Sequence, residues 1–486
     1  MTVVETFKAA LQDAEIHDKI RKGMIGEDAW IDGPFGARPL IYADYVASGR
    51  ALAQVENFIR DRVLPYYANT HTQASFCGEY MTRLREVARA EIARLTGARA
   101  GMSVVFTGAG STAGINRIVG LLDLGRMVRE GQRIVILTGP YEHHSNILPW
   151  RETGAEVTEI AEAPGGGVDM NDLERALQAA QGAVQIVGTF SAASNVTGIL
   201  TDEDAVTRML RAYGALAIWD YGCAGPYCEM DMREGTDAEK DAIVFSSHKF
   251  PGGPGASGVT VIRDGIASRT TPTLPGGGTV NFVSPWSHVY SDNLSAREEG
   301  GTPNVIGDIR AALAMLVKEA LGQVWLDARQ SELRARALKV WARNDRVELL
   351  GIPGAKALPI FSFRVRDGKG GLLHHQYFTR LLSDLTGVQA RGGCACAGPY
   401  GHRLLGLQKS DSDAISAALD RGEETAKPGW VRLNLSALMT DEKADLIIAA
   451  VDNLTRIATD YVDHYSVDTS TARFNALGSL KGMLAS

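Results

Sequence analysis

Six short apolar runs, at residues 104–106, 134–137, 184–187, 216–219, 243–245 and 259–262, punctuate this chain, with helix-length segments between several of them. Parallel strands cannot be joined by a tight turn and need both faces covered, so this alternation predicts an α/β fold with a largely parallel sheet. Function in such folds gathers at the ends of the strands. After Asn304 the pattern changes: residues 309–340 are rich in alanine and leucine with charges at helical spacing, and shorter mixed elements follow. We therefore expect an N-terminal arm over residues 1–40, a large domain over 41–310 and a smaller C-terminal α+β domain over 311–486.

The run 243–245 delivers Ser246-Ser247-His248-Lys249 into a glycine-rich loop, Gly252-Gly253-Pro254-Gly255. A lysine at the mouth of a buried strand loses hydration, which favours its neutral amine, and a neutral amine can form a Schiff base with a carbonyl. The run 216–219 ends in Asp220, where a carboxylate can hold a proton on a pyridine nitrogen and let the ring accept electrons. Together the two residues point to pyridoxal phosphate, although either one alone also suits an ordinary solvated loop.

A phosphorylated cofactor needs backbone N–H groups near a helix start. The run 104–106 leads into Thr107-Gly108-Ala109-Gly110-Ser111-Thr112 and then a helical pattern, with small residues admitting close approach and hydroxyls supplying donors. The stretch from Gly108 to Ala113 also fits a dinucleotide fingerprint. A dinucleotide site wants an acidic residue after the next strand, whereas 134–137 is followed by Thr138-Gly139-Pro140 and Tyr141-Glu142-His143-His144. An imidazole at that strand end can stack on a flat ring.

Composition narrows the partners. A formal net charge of -7 leaves no basic footprint for nucleic acid. The segment Thr2 to Met24 mixes Glu5, Asp13, Glu15 and Asp18 with lysines and lacks the apolar core of a signal peptide or membrane span. Five cysteines in 486 residues make no disulfide framework, so a cytoplasmic protein with no nucleic-acid or membrane partner is expected. The charged stretch 408–427 reads as an exposed insertion.

In order, the chain carries Tyr42-Ala43-Asp44, Asn69-Thr70-His71, Gly110-Ser111-Thr112 with Gly114-Ile115-Asn116, Glu142-His143-His144-Ser145-Asn146, Ser194-Asn195-Val196-Thr197-Gly198, Asp220, Ser246 to Lys249, Gly301-Thr302-Pro303-Asn304, and Arg391 to Cys396. By the order and number of these blocks it resembles class V aminotransferase-fold enzymes over nearly its whole length, and among them the cysteine desulfurase and selenocysteine lyase group. The resemblance implies fold type I of the pyridoxal phosphate-dependent transferases, and a homodimer whose sites are built across the subunit interface. Carried over by position, Lys249 is the Schiff-base lysine, Asp220 the pyridinium partner and His143 the ring-stacking base. Ser111, Thr112, Ser246 and His248 hold the phosphate, Asn195 lies beside the ring, and Thr302 reaches the phosphate of the neighbouring subunit. Cys223 stands three residues after Asp220, where the family usually has a glutamine or histidine on the ring hydroxyl.

Arg432 lies in the apolar segment Gly429-Trp430-Val431-Arg432-Leu433-Asn434, where a guanidinium is costly unless a carboxylate meets it. The resemblance makes it the clamp for the substrate carboxylate, with Arg391 also on the substrate side; an internal ion pair is the alternative for Arg432. The reaction type rests on Arg391-Gly392-Gly393-Cys394-Ala395-Cys396-Ala397-Gly398-Pro399. A thiolate on a flexible loop near a cation can attack the substrate sulfur, leaving a persulfide and alanine. Aligned on Arg391 and Pro399, Cys396 takes the nucleophile's place. A metal held by Cys394, Cys396 and His402 fits poorly with the spacing of structural zinc sites, so no metal is expected, while inert thiols remain an alternative. The expected activity is removal of sulfur or selenium from cysteine or selenocysteine, with a sulfur-acceptor protein as a further partner. The same framework also serves transaminases, epimerases and kynurenine-cleaving hydrolases.

Overall fold

The computed structural model describes residues 2–70 and 72–477, so His71 of the second matching block lies outside the described residues. The chain forms two compact units: residues 2–25, Ser48–Ser194 and Leu200–Leu326 make the first, and Gly26–Ala47, Asn195–Ile199 and 327–477 the second.

A seven-stranded sheet is the frame of the first unit. Its strands in chain order are β1 (Met102–Gly108), β2 (Ile134–Thr138), β3 (Glu156–Glu159), β4 (Gln185–Ser191), β5 (Leu216–Asp220), β6 (Ala242–Ser246) and β7 (Gly258–Arg263). Across the sheet they lie in the order β1-β7-β6-β5-β4-β2-β3. Neighbours from β6 through β5, β4 and β2 to β3 pair in parallel, whereas β7 is antiparallel to both β1 and β6. The expected mostly parallel sheet is present, with one reversed strand. Successive side chains of a strand point to opposite faces, and Ile243, Val244 and Phe245 are all fully buried, as are Ile218 and Trp219; both faces of the sheet are therefore covered, which is why these strands read as unbroken apolar runs. Helix α1 (Gly110–Leu122) follows β1 directly. Helix α2 (Val305–Leu321) is buried along most of its length and starts at Asn304, whose side chain accepts the Gly307 N–H at 3.2 Å.

The second unit holds a smaller sheet of β8 (Val347–Leu349), β9 (Ile360–Arg366), β10 (Arg391–Gly393) and β11 (Trp430–Asn434), in the order β8-β9-β11-β10, with Leu372–Leu373 paired to β9. Helices α3 (His375–Thr386) and α4 (Asp441–Ile457) share a core with it through Phe378, Leu381 and Ile447 against Phe363 and Leu433. The charged stretch 408–427 contains an exposed helix, Lys409–Asp420. Among the described residues no helix is long and apolar enough to cross a membrane.

Candidate active site

The ends of the neighbouring strands β5 and β6 and the start of α1 build the site of the first unit. β6 ends at Ser246 and passes into a short turn, Ser247–Lys249, that leaves His248 and Lys249 half-buried above the sheet. The turn doubles back so tightly that a Cβ on Gly253 would stand 2.0 Å from the Ser247 carbonyl oxygen, which explains the glycine there. β5 ends at Asp220, which is buried and accepts the Gly222 N–H at 2.6 Å. Burial pushes the Asp220 carboxyl above the usual range, opposed by the Gly222 N–H, by the Lys249 charge and by the Ser111 hydroxyl. Burial, and then the Lys249 charge, hold the His248 imidazole below its ordinary value.

The start of α1 meets these strand ends. Gly110 has φ of 62°, and a Cβ there would lie 2.6 Å from Ser246 Oγ and 3.3 Å from the His248 ring. The Ser111 N–H donates to Ser246 Oγ at 3.0 Å, while the N-cap residue Ala109 makes no side-chain cap of its own. Thr112 is exposed; its hydroxyl shares a 2.6 Å hydrogen bond with Ser145 Oγ, which in turn lies 2.9 Å from His143 Nδ1. The Ser145 backbone N–H also donates to His143 Nδ1, at 3.1 Å, so that nitrogen is an acceptor and the neutral ring carries its proton on Nε2. Ser111, Thr112, His143, Asp220, Ser246, His248 and Lys249 are thus brought together. Cys223 is buried with its thiol directed at the Ser194 carbonyl, 3.6 Å away. Thr302 is exposed in the bend ahead of α2 and shares no hydrogen bond with this cluster.

Beside His143 the sequence reading passed over Glu142. Its carboxylate is buried and takes the Ser191 N–H and Oγ, both at 2.7 Å, and Asn146 Nδ2 at 2.5 Å. Asn146 Oδ1 is held in turn by Trp150 Nε1 at 3.0 Å and Thr189 Oγ1 at 2.7 Å. The only sequence signal was an acidic residue and an amide four apart immediately after an apolar strand.

Asn195, Arg391, Cys394, Cys396 and Arg432 belong to the second unit. β10 and β11 place Arg391 opposite Arg432, and one carboxylate joins them: Asp44 accepts Arg432 Nη2 on one oxygen and Arg391 Nε on the other, both at 2.9 Å. The internal ion pair weighed for Arg432 therefore exists. Its Nη1 donates to the Asn195 carbonyl at 3.1 Å, while Nε is buried without a hydrogen-bond partner. Asn195 Nδ2 donates to the Ala395 carbonyl at 2.7 Å, which pins the cysteine loop from the side. Ala395 and Cys396 have φ of 53° and 54°, a left-handed conformation that costs a non-glycine residue about 1 kcal/mol. Cys394 is half-buried and Cys396 exposed. His402 Nδ1 donates to the Gly398 carbonyl at 2.8 Å, and Nε2 of the neutral ring accepts from the Ser412 hydroxyl at 3.2 Å. Arg432→Ala removes a buried cation from Asp44 and a donor from Asn195, so the urea unfolding free energy should fall by about 3 kcal/mol, and Arg432→Lys, which keeps the charge but cannot reach both partners, by less.

A lysine, a buried carboxylate and an imidazole gathered at the strand ends of a mostly parallel sheet define a fold type I transferase-like enzyme. Residues 41–445 match the family model described as aminotransferase class-V, and the chain belongs to that family. Similar curated proteins include a probable cysteine desulfurase of Halalkalibacterium halodurans, 27% identical over 413 residues that cover 81% of this chain and 96% of that protein. A probable cysteine desulfurase of Staphylococcus aureus is 27% identical over 373 residues, covering 76% of this chain and 86% of that one. Among solved structures, the apo cysteine desulfurase of Thermococcus onnurineus is similar with a TM-score of 0.73 at 23% identity, over 90% of this chain and 98% of the other. The cysteine desulfurase CsdA of Escherichia coli is similar with a TM-score of 0.69 at 20% identity, over 91% and 98%. At these identities the solved structures speak for the fold.

Proposed function

We propose that this chain is a pyridoxal phosphate-dependent cysteine desulfurase or selenocysteine lyase-like enzyme, which takes sulfur or selenium from the amino acid and leaves alanine. The observation that carries this reading is an exposed cysteine, Cys396, directly after the strand of Arg391, in a chain whose first unit gathers Lys249, Asp220 and His143 at its strand ends. The similarity to probable cysteine desulfurases over most of the chain supports it.

The donor set fits the cofactor. Gly110, Ser111, Ser246 and His248 surround a helix start whose N-cap residue, Ala109, makes no side-chain cap, and the backbone N–H groups and hydroxyls there suit a phosphate. Burial pushes the Asp220 carboxyl up and a cationic N–H facing it would favour its ionised form, so it suits a protonated pyridine nitrogen. When bound, pyridoxal phosphate supplies an electron sink for the carbon that carries the substrate amino group. Lys249 Nζ then carries protons at that carbon, Asp220 holds the proton on the pyridine nitrogen, and His143, with Nδ1 fixed by Ser145, keeps its ring oriented for stacking. By the family resemblance, Asn195 would lie beside the ring and Cys223 would stand in for the usual partner of the ring hydroxyl. Arg432 and Arg391, which share Asp44 in this structure, would anchor the substrate carboxylate. Cys396 Sγ forms a bond to the substrate sulfur as the carbon–sulfur bond breaks; the electron pair stays with the carbon, which takes a proton and becomes the methyl group of alanine, and the sulfur remains as a persulfide. The working form is a cytoplasmic homodimer, with Thr302 reaching the neighbouring subunit's phosphate and a sulfur-acceptor protein taking the persulfide.

A panel of amino acids tests the reading. Cysteine or selenocysteine should give alanine and, with a thiol reductant present, sulfide or selenide in equal amounts. A keto acid with amino transfer, a racemised substrate, or alanine from kynurenine with no turnover of cysteine would move the protein to the transaminase, epimerase or hydrolase reading.

A further inference from the structure

Glu142 occupies a position that the chemistry above leaves without a task. Its three donors come from two directions: Ser191 at the end of β4, and Asn146 in the short turn that follows His143. The carboxylate therefore ties the turn that carries His143 to the end of a strand of the sheet. Ser191 is also the register partner of Asp220 on β5, so the second buried carboxylate of this layer stands one strand away from the first. The loop has closed around it: a Cβ on Gly139 would lie 2.6 Å from Glu142 Oε1.

We propose that Glu142 is a positioning residue of the cofactor site, which fixes the His143 turn on β4 and adds its negative charge to that of Asp220 in holding protons on the bound cofactor. The inference rests on the pyridoxal phosphate reading given above. Burial pushes the Glu142 carboxyl up to about 7, the Asp220 charge pushes it the same way, and the three hydrogen bonds oppose them. The ionisable groups around it are Asp220 at the end of β5, with Lys249 drawing Asp220 toward its charged form, and His143 and His144 in its own turn; the groups that touch it from β4 and the turn are a hydroxyl, an amide and a backbone N–H. Above neutrality Glu142 is thus an anion, in a layer shielded from water, where an anion favours protonated neighbours.

Glutamine is a demanding replacement here. Asn146 cannot turn its amide to suit a new donor, because Trp150 and Thr189 hold its oxygen, and the Ser191 N–H is fixed in the strand. The test reads the visible absorbance of the lysine-bound cofactor in the holoenzyme as a function of pH, alongside kcat and KM. In Glu142→Gln the pH at which the band falls to half should drop by about one unit, since a nearby anion has been removed. Ser191→Ala, which loses a hydrogen bond and keeps the charge, should stay within about 0.3 unit of wild type. An unmoved midpoint in Glu142→Gln, or an equal shift in Ser191→Ala, overturns the proposal. Should Glu142→Gln not fold, Glu142→Asp decides: with the charge kept on a shorter arm, the midpoint should hold while kcat falls at unchanged KM, and a midpoint displaced by about one unit would make the effect one of geometry and overturn the proposal. A wild-type protein that takes up no pyridoxal phosphate overturns the functional reading and this inference together, whereas a normal wild-type band with an unmoved variant overturns this inference alone.

Discussion

Lys249→Ala should purify without the visible absorbance that borohydride is expected to fix onto the wild-type protein, and its turnover of cysteine should fall by at least about three orders of magnitude, some 4 kcal/mol of barrier. The size of the effect follows from what the residue does at one point in the fold. In the proposed function its amine bonds the cofactor and carries protons at the substrate carbon, and the turn Ser247–Lys249 sets it at the end of β6 with its charge acting on Asp220 and His248. Taking the charge away moves the Asp220 carboxyl further up and lets the His248 imidazole rise toward its ordinary value, so the remaining groups are also mistuned. The fold itself should hold, because Lys249 is half-buried and the tight backbone contacts of this loop are made by glycines. Borohydride reduction followed by peptide mass spectrometry is the check; a reducible adduct at the wild-type level in the variant would mean that another lysine carries the cofactor.

Cys396→Ser separates cofactor chemistry from sulfur chemistry. The variant should take up pyridoxal phosphate with an unchanged spectrum, yet release no alanine from cysteine and carry no persulfide, because a serine hydroxyl is neither ionised near neutrality nor soft enough to accept sulfur. Serine keeps the Cβ, so the left-handed backbone at Ala395 and Cys396 and the Asn195 bond to the Ala395 carbonyl are expected to survive, and lost activity cannot be ascribed to a collapsed loop. Cys394→Ser should be milder, since Cys394 lies two residues before the matched position. Mass spectrometry after brief exposure to cysteine locates the added sulfur: at Cys394 and not Cys396 it would reverse the assignment of the nucleophile.

Much of the frame was legible without coordinates. The runs 216–219 and 243–245 became β5 and β6 because strands buried on both faces must be apolar throughout, and the chemistry was legible beside them because Asp220 and the turn to Lys249 come where such runs end. The helix start proposed as a phosphate cradle was legible for a similar local reason, since a helix that follows β1 through small residues presents its N–H groups whatever the rest of the fold does.

The pairing of distant residues was a different matter. Asp44 meets Arg432 across 388 positions of sequence, and nothing in the spacing of either residue says that one carboxylate will bridge two arginines on adjacent strands. Residues 26–47 and 195–199 join the C-terminal unit rather than their chain neighbours, and β7 enters the sheet reversed because the connection from β6 is a loop with no crossover helix. Glu142 reads in the sequence as one acidic residue of a turn, and becomes a buried carboxylate with fixed donors only when β2 and β4 pair and bring Ser191 over it. The sequence by itself determined the α/β frame, the strand ends and the residues that stand there, since hydrophobic periodicity and turn chemistry are local properties of a chain. The tertiary structure alone decided which charges neutralise one another, because the partner of a buried ion is chosen by packing between segments that lie far apart in sequence.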